Sequence, residues 1–381
     1  MNAAPPIIVG GGPAGLATAA CLKQHGIEAI VLDKGAQVGQ SWRDRYERLH
    51  LHTPRVQSHL PGYRIPRAYG RWVSRANVVD YLVSYAGHFA IEPRLGVTVT
   101  RVDRDGDAWV VTTPDGELRS PVVVIATGYN GVPFLPDWPG HETFTGELLH
   151  AHAYRVPDPY VGRDVAVVGA GNTGAEIAAD LAESGARTVW LSVRTPPNIV
   201  PRSLAGIPVS LIGISNEYTA PVVGDPLTKA ATRALFGDLR EHGMPMPEMG
   251  AISQHREHDR IPIIDVGLVD QLRAGRVTPV AAVTGFAGAE VVLADGSRLR
   301  PDAVIAATGY RTGLDQLVGH LGVVDDKGRP THHRHHTHPH APNLHFVGLT
   351  NRFIGLLNTI RLDARKTARA IATEFTRPGV A

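Results

Sequence analysis

Six glycines frame the chemistry open to this chain. Gly10, Gly12 and Gly15 stand in IIVGGGPAGL, and Gly169, Gly171 and Gly174 stand in VAVVGAGNTGAE, each set in the G-x-G-x-x-G frame. In that frame the first glycine permits a tight turn and the second lets backbone N–H groups approach a pyrophosphate. The third lets helix and strand pack closely. The helix N-terminus adds partial positive charge at the phosphates. Pro13 and Ala14 lie in the first loop, Asn172 and Thr173 in the second. The copies differ at the end of the next strand, where the first has Asp33 followed by Lys34 and the second has Arg194. A carboxylate there suits a ribose hydroxyl, whereas a guanidinium suits a 2′-phosphate. One cradle is therefore read as a site for FAD and the other as a site for NADPH, with Arg202 as a second contact to the 2′-phosphate.

The elements that must position these loops can be read around them. Residues 7–33 run strand, glycine turn, helix, strand, and residues 165–194 repeat that order. A lone glycine frame is a weak signal. Each of these follows a strand and opens a helix that ends at Gly26 or Gly185, which is the context that makes the frame specific. A second echo lies downstream of each cradle, in VVVIATGY (122–129) and AVIAATGY (303–310). Thr127, Gly128, Thr308 and Gly309 are expected beside the bound nucleotides. Residues 100–120 and 285–303 alternate around Asp-Gly turns and predict two antiparallel meanders. The fold class expected is α/β, with two Rossmann-like dinucleotide-binding domains and the NADPH domain inserted in the FAD domain. Residues 1–155 would be the first part of the FAD domain. Residues 156–310 would be the NADPH domain, with an insertion at about 198–262 read as a lid or substrate-facing segment. Residues 311–381 would return to the FAD domain and end in a helix.

Just upstream of the second cradle, Phe144, Gly146, His150 and Tyr154 match F-x-G-x-x-x-H-x-x-x-Y. On this fingerprint the chain resembles the class B flavin-dependent monooxygenases from end to end. The stretch reads as a hinge between domains, in which His150 orders the linker rather than moving protons. Tyr154 separates branches, because Baeyer–Villiger members usually carry tryptophan there. The resemblance sharpens towards the YUCCA-type branch and its bacterial relatives in GQSWRDRYERLHLHTP (39–54), RIPIIDVGLVDQLRAGRV (260–277) and the terminal segment 344–372. It implies that Gln40, Trp42, His52 and Thr53 lie along the flavin, that Gly348 contacts the cofactor, and that a helix start near Leu357 or Asn358 faces the flavin's N1–C2=O edge. Animal relatives use an asparagine to support the peroxyflavin. The matching region here reads VQSHLPGY, which leaves Ser58 or His59 for that role, with Asn358 the third catalytic candidate. The reaction implied is NADPH- and O2-dependent oxygenation of a small molecule through a C4a-(hydro)peroxyflavin. The outcome would be oxygenation at nitrogen or sulfur, or oxidative decarboxylation of a 2-oxo acid, which the YUCCA-like segments favour.

Composition bounds the rivals. The 381 residues carry 38 basic and 36 acidic side chains, a net charge of +2 that gives no bulk field for nucleic acid. No apolar run reaches the ~18 residues of a membrane span, and no signal pattern precedes Ile7, so a cytoplasmic enzyme is expected. A homodimer is left open. The single cysteine, Cys21, removes the redox pair of a disulfide reductase. An NADPH oxidase or a flavin-bearing redox sensor stays as the alternative. The histidine-rich stretch THHRHHTHPHAPNLH (331–345) is read as a solvated turn and not a metal site, because no cysteine or acidic cluster accompanies it.

Overall fold

The computed structural model describes residues 4–211, 219–350 and 352–375. The chain divides into two compact units. One comprises Met1–Asp44, Thr53–Val132 and Tyr310–Ala381, the other Arg45–His52 and Pro133–Gly309. In chain order, the strands of the two parallel sheets are β1 (Ile7–Val9), β2 (Ile30–Leu32), β3 (Val123–Ile125), β4 (Glu147–His150), β5 (Asp164–Val168), β6 (Thr188–Ser192), β7 (Val277–Val280), β8 (Ala303–Ala306) and β9 (Leu344–Phe346). Three helices bear on the sites: α1 (Pro13–Gln24), α2 (Asn172–Glu183) and α3 (Leu356–Phe375).

In the first unit the sheet order is β2-β1-β3-β9, every neighbour parallel. β1, β2 and β3 are short unbroken apolar runs, as expected of buried parallel strands with both faces covered. Ile7, Val9, Val123, Ile125, Leu344 and Phe346 form one core with Trp109 and Val111 of the antiparallel meander Arg101–Ser120. The terminal helix α3 packs along α1. The second unit repeats the plan with the order β7-β6-β5-β8-β4, again all parallel. Val165, Val167, Ile177, Leu181, Leu191 and Ile305 centre its core. Its own meander, Val283–Leu299, packs Phe286 and Val291 on Val168 and Val304.

Two expectations need correction. The stretch read as a hinge contains β4, which pairs in parallel with β8 from Glu147↔Ala303 to Ala306↔His150. It is an edge strand of the second sheet, and Leu148, Leu149 and Phe144 pack on that unit's cores. The change of unit comes between Val132 and Pro133, not near residue 155. The insertion at 198–262 is not a simple lid either. Ile199, Leu239, Met244 and Ile263 belong to the second core, and Ile199–Pro201 pairs in parallel with Ile263–Asp265. The buried Asp225 carboxylate accepts from the amides of Ile252 and Ser253 at 2.8 and 3.2 Å, so it satisfies the start of the helix Ala251–His258. Residues 212–218 of that segment lie outside the described residues.

His345, in the middle of β9, is buried, with Nδ1 3.2 Å from the Arg334 carbonyl. Burial pushes its pKa down to about 4. A depressed folded-state pKa means the unfolded chain takes up a proton that the fold refuses, so the stability present above the unfolded pKa is lost as pH falls. Unfolding in urea should show stability dropping below about pH 6.5 and levelling near pH 4, with a slope of at most ~1.4 kcal/mol per pH unit. His345→Asn should flatten that part of the profile.

Candidate functional site

The first cradle turns from β1 into α1. Gly10 has φ +108°, and a Cβ there would overlap the Ala126 carbonyl. A Cβ on Gly15 would overlap the carbonyl oxygen of Gly10. Gly12 differs from both. Its φ of −77° is open to any residue, and nothing lies within 4 Å of the position its Cβ would take. The fold therefore requires the outer glycines, while the middle one keeps space clear for something outside the chain. Pro13 and Ala14 begin α1, which has no side-chain cap, whereas the helix Arg75–His88 is capped by Ser74. Uncapped first-turn amides are what an anion requires.

Asp33 closes the loop from below, its two oxygens accepting from the amides of Gly11 (2.5 Å) and Gly35 (2.6 Å). A carboxylate has about four acceptor sites, so capacity for ribose hydroxyls remains. Lys34 beside it is exposed. Among the buried polar atoms of this unit without a hydrogen-bond partner are Thr127 Oγ1, Gln40 Oε1 and Thr350 Oγ1. Polar atoms rarely stay orphaned in a fold, so these fit a polar ligand, and Thr350 was not foreseen from the sequence. Gly128 turns at φ +88° in open space. Gly348, at φ +75°, brings the chain against Ala14 and Ile360. Trp42 sits half-buried on the short helix Gln40–Arg43.

The catalytic candidates of this unit have structural duties. Ser58 is fully buried, its hydroxyl 2.7 Å from Thr53 Oγ1 and donating to the Pro54 carbonyl at 3.0 Å. These bonds tie Ser58 to the turn that begins at Thr53. His59 Nδ1 lies 3.1 Å from the Val56 carbonyl, and burial, with Arg361 nearby, lowers its pKa. Asn358, in the first turn of α3 with Leu357, is buried and accepts from Arg361 Nε at 3.1 Å. Gln57 donates to the Ile354 carbonyl at 3.1 Å, and Gly355 at φ +84° abuts Thr53, so residues 53–58 brace the start of α3.

The second cradle repeats the first in its backbone. Gly169 has φ +114°, with the Ala307 carbonyl 2.5 Å from its Cβ position, and a Cβ on Gly174 would overlap the Gly169 carbonyl. Gly171, at φ −104°, again faces open space, and α2 again has no side-chain cap. The side chains diverge. Asn172 donates to the Pro262 carbonyl (3.2 Å) and accepts from the Ile264 amide (2.8 Å), so its amide group ties the loop to residues 262–264. Thr308 donates to the Phe134 carbonyl, unlike its orphaned counterpart Thr127. Gly309 turns at φ +88°, as Gly128 does. Arg194 is exposed and carries no hydrogen bond or ion pair among the described residues. Arg202 donates to the Leu51 carbonyl at 2.7 Å, and burial lowers its pKa to about 10.

The fingerprint lies wholly in this unit. The Phe144 ring covers Gly146, where a Cβ would stand 2.6 Å from it. His150 Nδ1 accepts from the His152 amide at 3.0 Å, which leaves Nε2 to donate to the Gly309 carbonyl at 3.0 Å. Both ring nitrogens are thus engaged, in the neutral form that burial favours. Tyr154 donates to the buried Asp180 at 2.7 Å. The structure also moves His52 away from Thr53: Thr53 packs with the first unit, whereas His52 Nε2 lies 2.5 Å from Glu176 Oε1 on α2.

A family model for pyridine nucleotide-disulphide oxidoreductases matches residues 7–201. A probable indole-3-pyruvate monooxygenase, YUCCA3, from Arabidopsis thaliana is 32% identical, over 97% of this chain and 87% of its own. An indole-3-pyruvate monooxygenase, YUCCA8, from Oryza sativa subsp. indica is 35% identical over 96% and 90%. A solved flavin-containing monooxygenase from Stenotrophomonas maltophilia is 26% identical, with a TM-score of 0.73, and 99% of this chain and 100% of that one are covered. This chain belongs to the flavin-dependent monooxygenases, with the YUCCA-type enzymes among its relatives. The monooxygenase uses FAD, NADPH and O2 to oxygenate a small molecule. No helix among the described residues of the enzyme is long and apolar enough to cross a membrane.

The cradles separate glycines that the fold requires from a glycine kept for a ligand. In the monooxygenase, Gly15→Ala should lower the stability of cofactor-free protein by about 2 kcal/mol or more, through overpacking against the Gly10 carbonyl. Gly12→Ala should leave the melting temperature of cofactor-free protein within a degree or two, yet weaken FAD binding in a fluorescence titration.

Proposed function

We propose that the first unit is a Rossmann-like FAD-binding domain and the second a Rossmann-like NADPH-binding domain inserted within it. The observation that carries this assignment is the opposite charge at matching strand ends, Asp33 after β2 and Arg194 after β6. The first-turn amides of α1 would receive the FAD pyrophosphate, Asp33 the adenosine ribose, and the orphaned Thr127 and Gln40 polar groups of the flavin half. The first turn of α2 would receive the NADPH pyrophosphate and Arg194 its 2′-phosphate. Bound there, the flavin supplies hydride acceptance and oxygen activation. The protein supplies position, charge complementarity and exclusion of water. Thr53, Ser58 and Gln57 hold the start of α3 in place, and His150, with both nitrogens engaged, keeps β4 on the turn at Gly309.

We assign the substrate to the 2-oxo acids, on the strength of relatives named as indole-3-pyruvate monooxygenases that match nearly the whole chain. One oxygen atom of O2 would enter the new carboxyl group and the other would leave as water. The 2-oxo acid loses its carboxyl as CO2, and NADPH is oxidised to NADP⁺. The test is NADPH consumption with 2-oxo acids, amines and thioethers under 18O2. A one-carbon-shorter acid carrying one labelled oxygen is expected. Labelled amine or sulfide oxides alone would overturn the substrate class, and stoichiometric hydrogen peroxide with every substrate would leave an oxidase.

Cofactor choice gives a separate expectation. Arg194→Ala should weaken NADPH at least ~30-fold while NADH changes less than about twofold, since a charge-assisted contact to phosphate is worth about 2 kcal/mol. Equal loss for the two nucleotides would remove the 2′-phosphate assignment.

A further inference from the structure

The segment Arg45–His52 belongs to the second unit, although the residues on both sides of it belong to the first. Three of its polar side chains, those of Tyr46, Arg48 and His52, end on one face of α2. The Tyr46 hydroxyl bonds both Thr173 and Glu176, His52 Nε2 meets Glu176 at 2.5 Å, and Arg48 pairs with Asp180 and Glu183. Thr173 and Glu176 are the second and fifth residues of α2, so Tyr46 spans its first turn, about 4.5 Å along the axis. Glu176 is only 3% exposed, and Arg202 is close enough to feel its charge. A buried carboxylate keeps its place only when hydrogen-bonded. Here the donors that satisfy it also fix the turn whose amides face the open space at Gly171.

We infer that Tyr46, His52 and Glu176 form a bracket that sets the first turn of α2 for the pyridine nucleotide, with Glu176 as a positioning residue for NADPH. This rests on the reading of the second cradle as the NADPH site. Losing one donor strands the carboxylate about 7.5 Å along the helix from Gly171, the glycine that leaves room for the phosphates. The stranded charge and the loosened turn both act against a polyanion. Removing the charge together with the donor relieves the first of these effects, which makes the idea separable from a general loss of stability.

The test uses FAD-loaded enzyme and NADP⁺ titrated by calorimetry. His52→Ala and Tyr46→Phe should each weaken NADP⁺ about tenfold and raise the NADPH KM alike, with kcat at saturating NADPH and the FAD content within about twofold of the parent. The double variant His52→Ala/Glu176→Gln should regain most of the lost affinity. NADP⁺ affinity within twofold of the parent in both single variants, whether or not melting temperature falls, would overturn the bracket. So would a double variant no tighter than His52→Ala. Tyr46→Phe is the mildest change and decides the matter if His52→Ala folds poorly. Arg194→Ala, run alongside, reports on the cradle itself: if it discriminates NADPH from NADH as expected, failure of the bracket variants counts against the bracket alone.

Discussion

The carbonyl of the first glycine in each cradle faces the α-carbon of the third so closely that no side chain fits between them. At Gly10 and Gly15, and again at Gly169 and Gly174, this approach presses the start of a helix onto the end of its own strand. Helix direction, the exposure of first-turn amides and the open side of the loop all follow from it. The sheets serve the same constraint. β1 and β5 have a parallel neighbour on each side, so their ends are fixed in place before the turn begins.

Within that shared backbone the two copies answer different electrostatic demands. Asp33 spends its negative charge on the Gly11 and Gly35 amides and so stiffens the first loop, whereas Arg194 is exposed. Thr127 keeps an unpartnered hydroxyl, while Thr308 has given its own to Phe134. Asn172 has become a clamp on residues 262–264. The two cradles share their glycine geometry and differ in the bonds their flanking side chains make.

Much of this was legible in the sequence because it is local. Glycine spacing, apolar runs and Asp-Gly turns report on neighbours a few residues away, and the strands flanking both cradles, both meanders and α3 came out where the patterns put them. The fingerprint was found but misread. Glu147–His150 is too short to declare itself a strand, and only its pairing with Ala303–Ala306 does so. His52 looked like part of the run that ends at Thr53, but its partner Glu176 is 124 residues away, and adjacency in sequence carries no signal of such a partner. Ser58 has the right chemistry for catalysis, and nothing in its neighbours' identities shows that its hydroxyl is already used.

The segment Arg45–His52 also bears on how far the molecule is modular. The stretch 133–309 looks like a cassette that could be excised, grafted or exchanged between relatives. Cut out at those limits, it would leave Glu176, Asp180 and Glu183 without Tyr46, His52 and Arg48. The second unit is therefore discontinuous in sequence. A chimaera that swaps the cassette must carry the eight upstream residues with it (45 to 52), and sequence drift in either piece is answerable to the other.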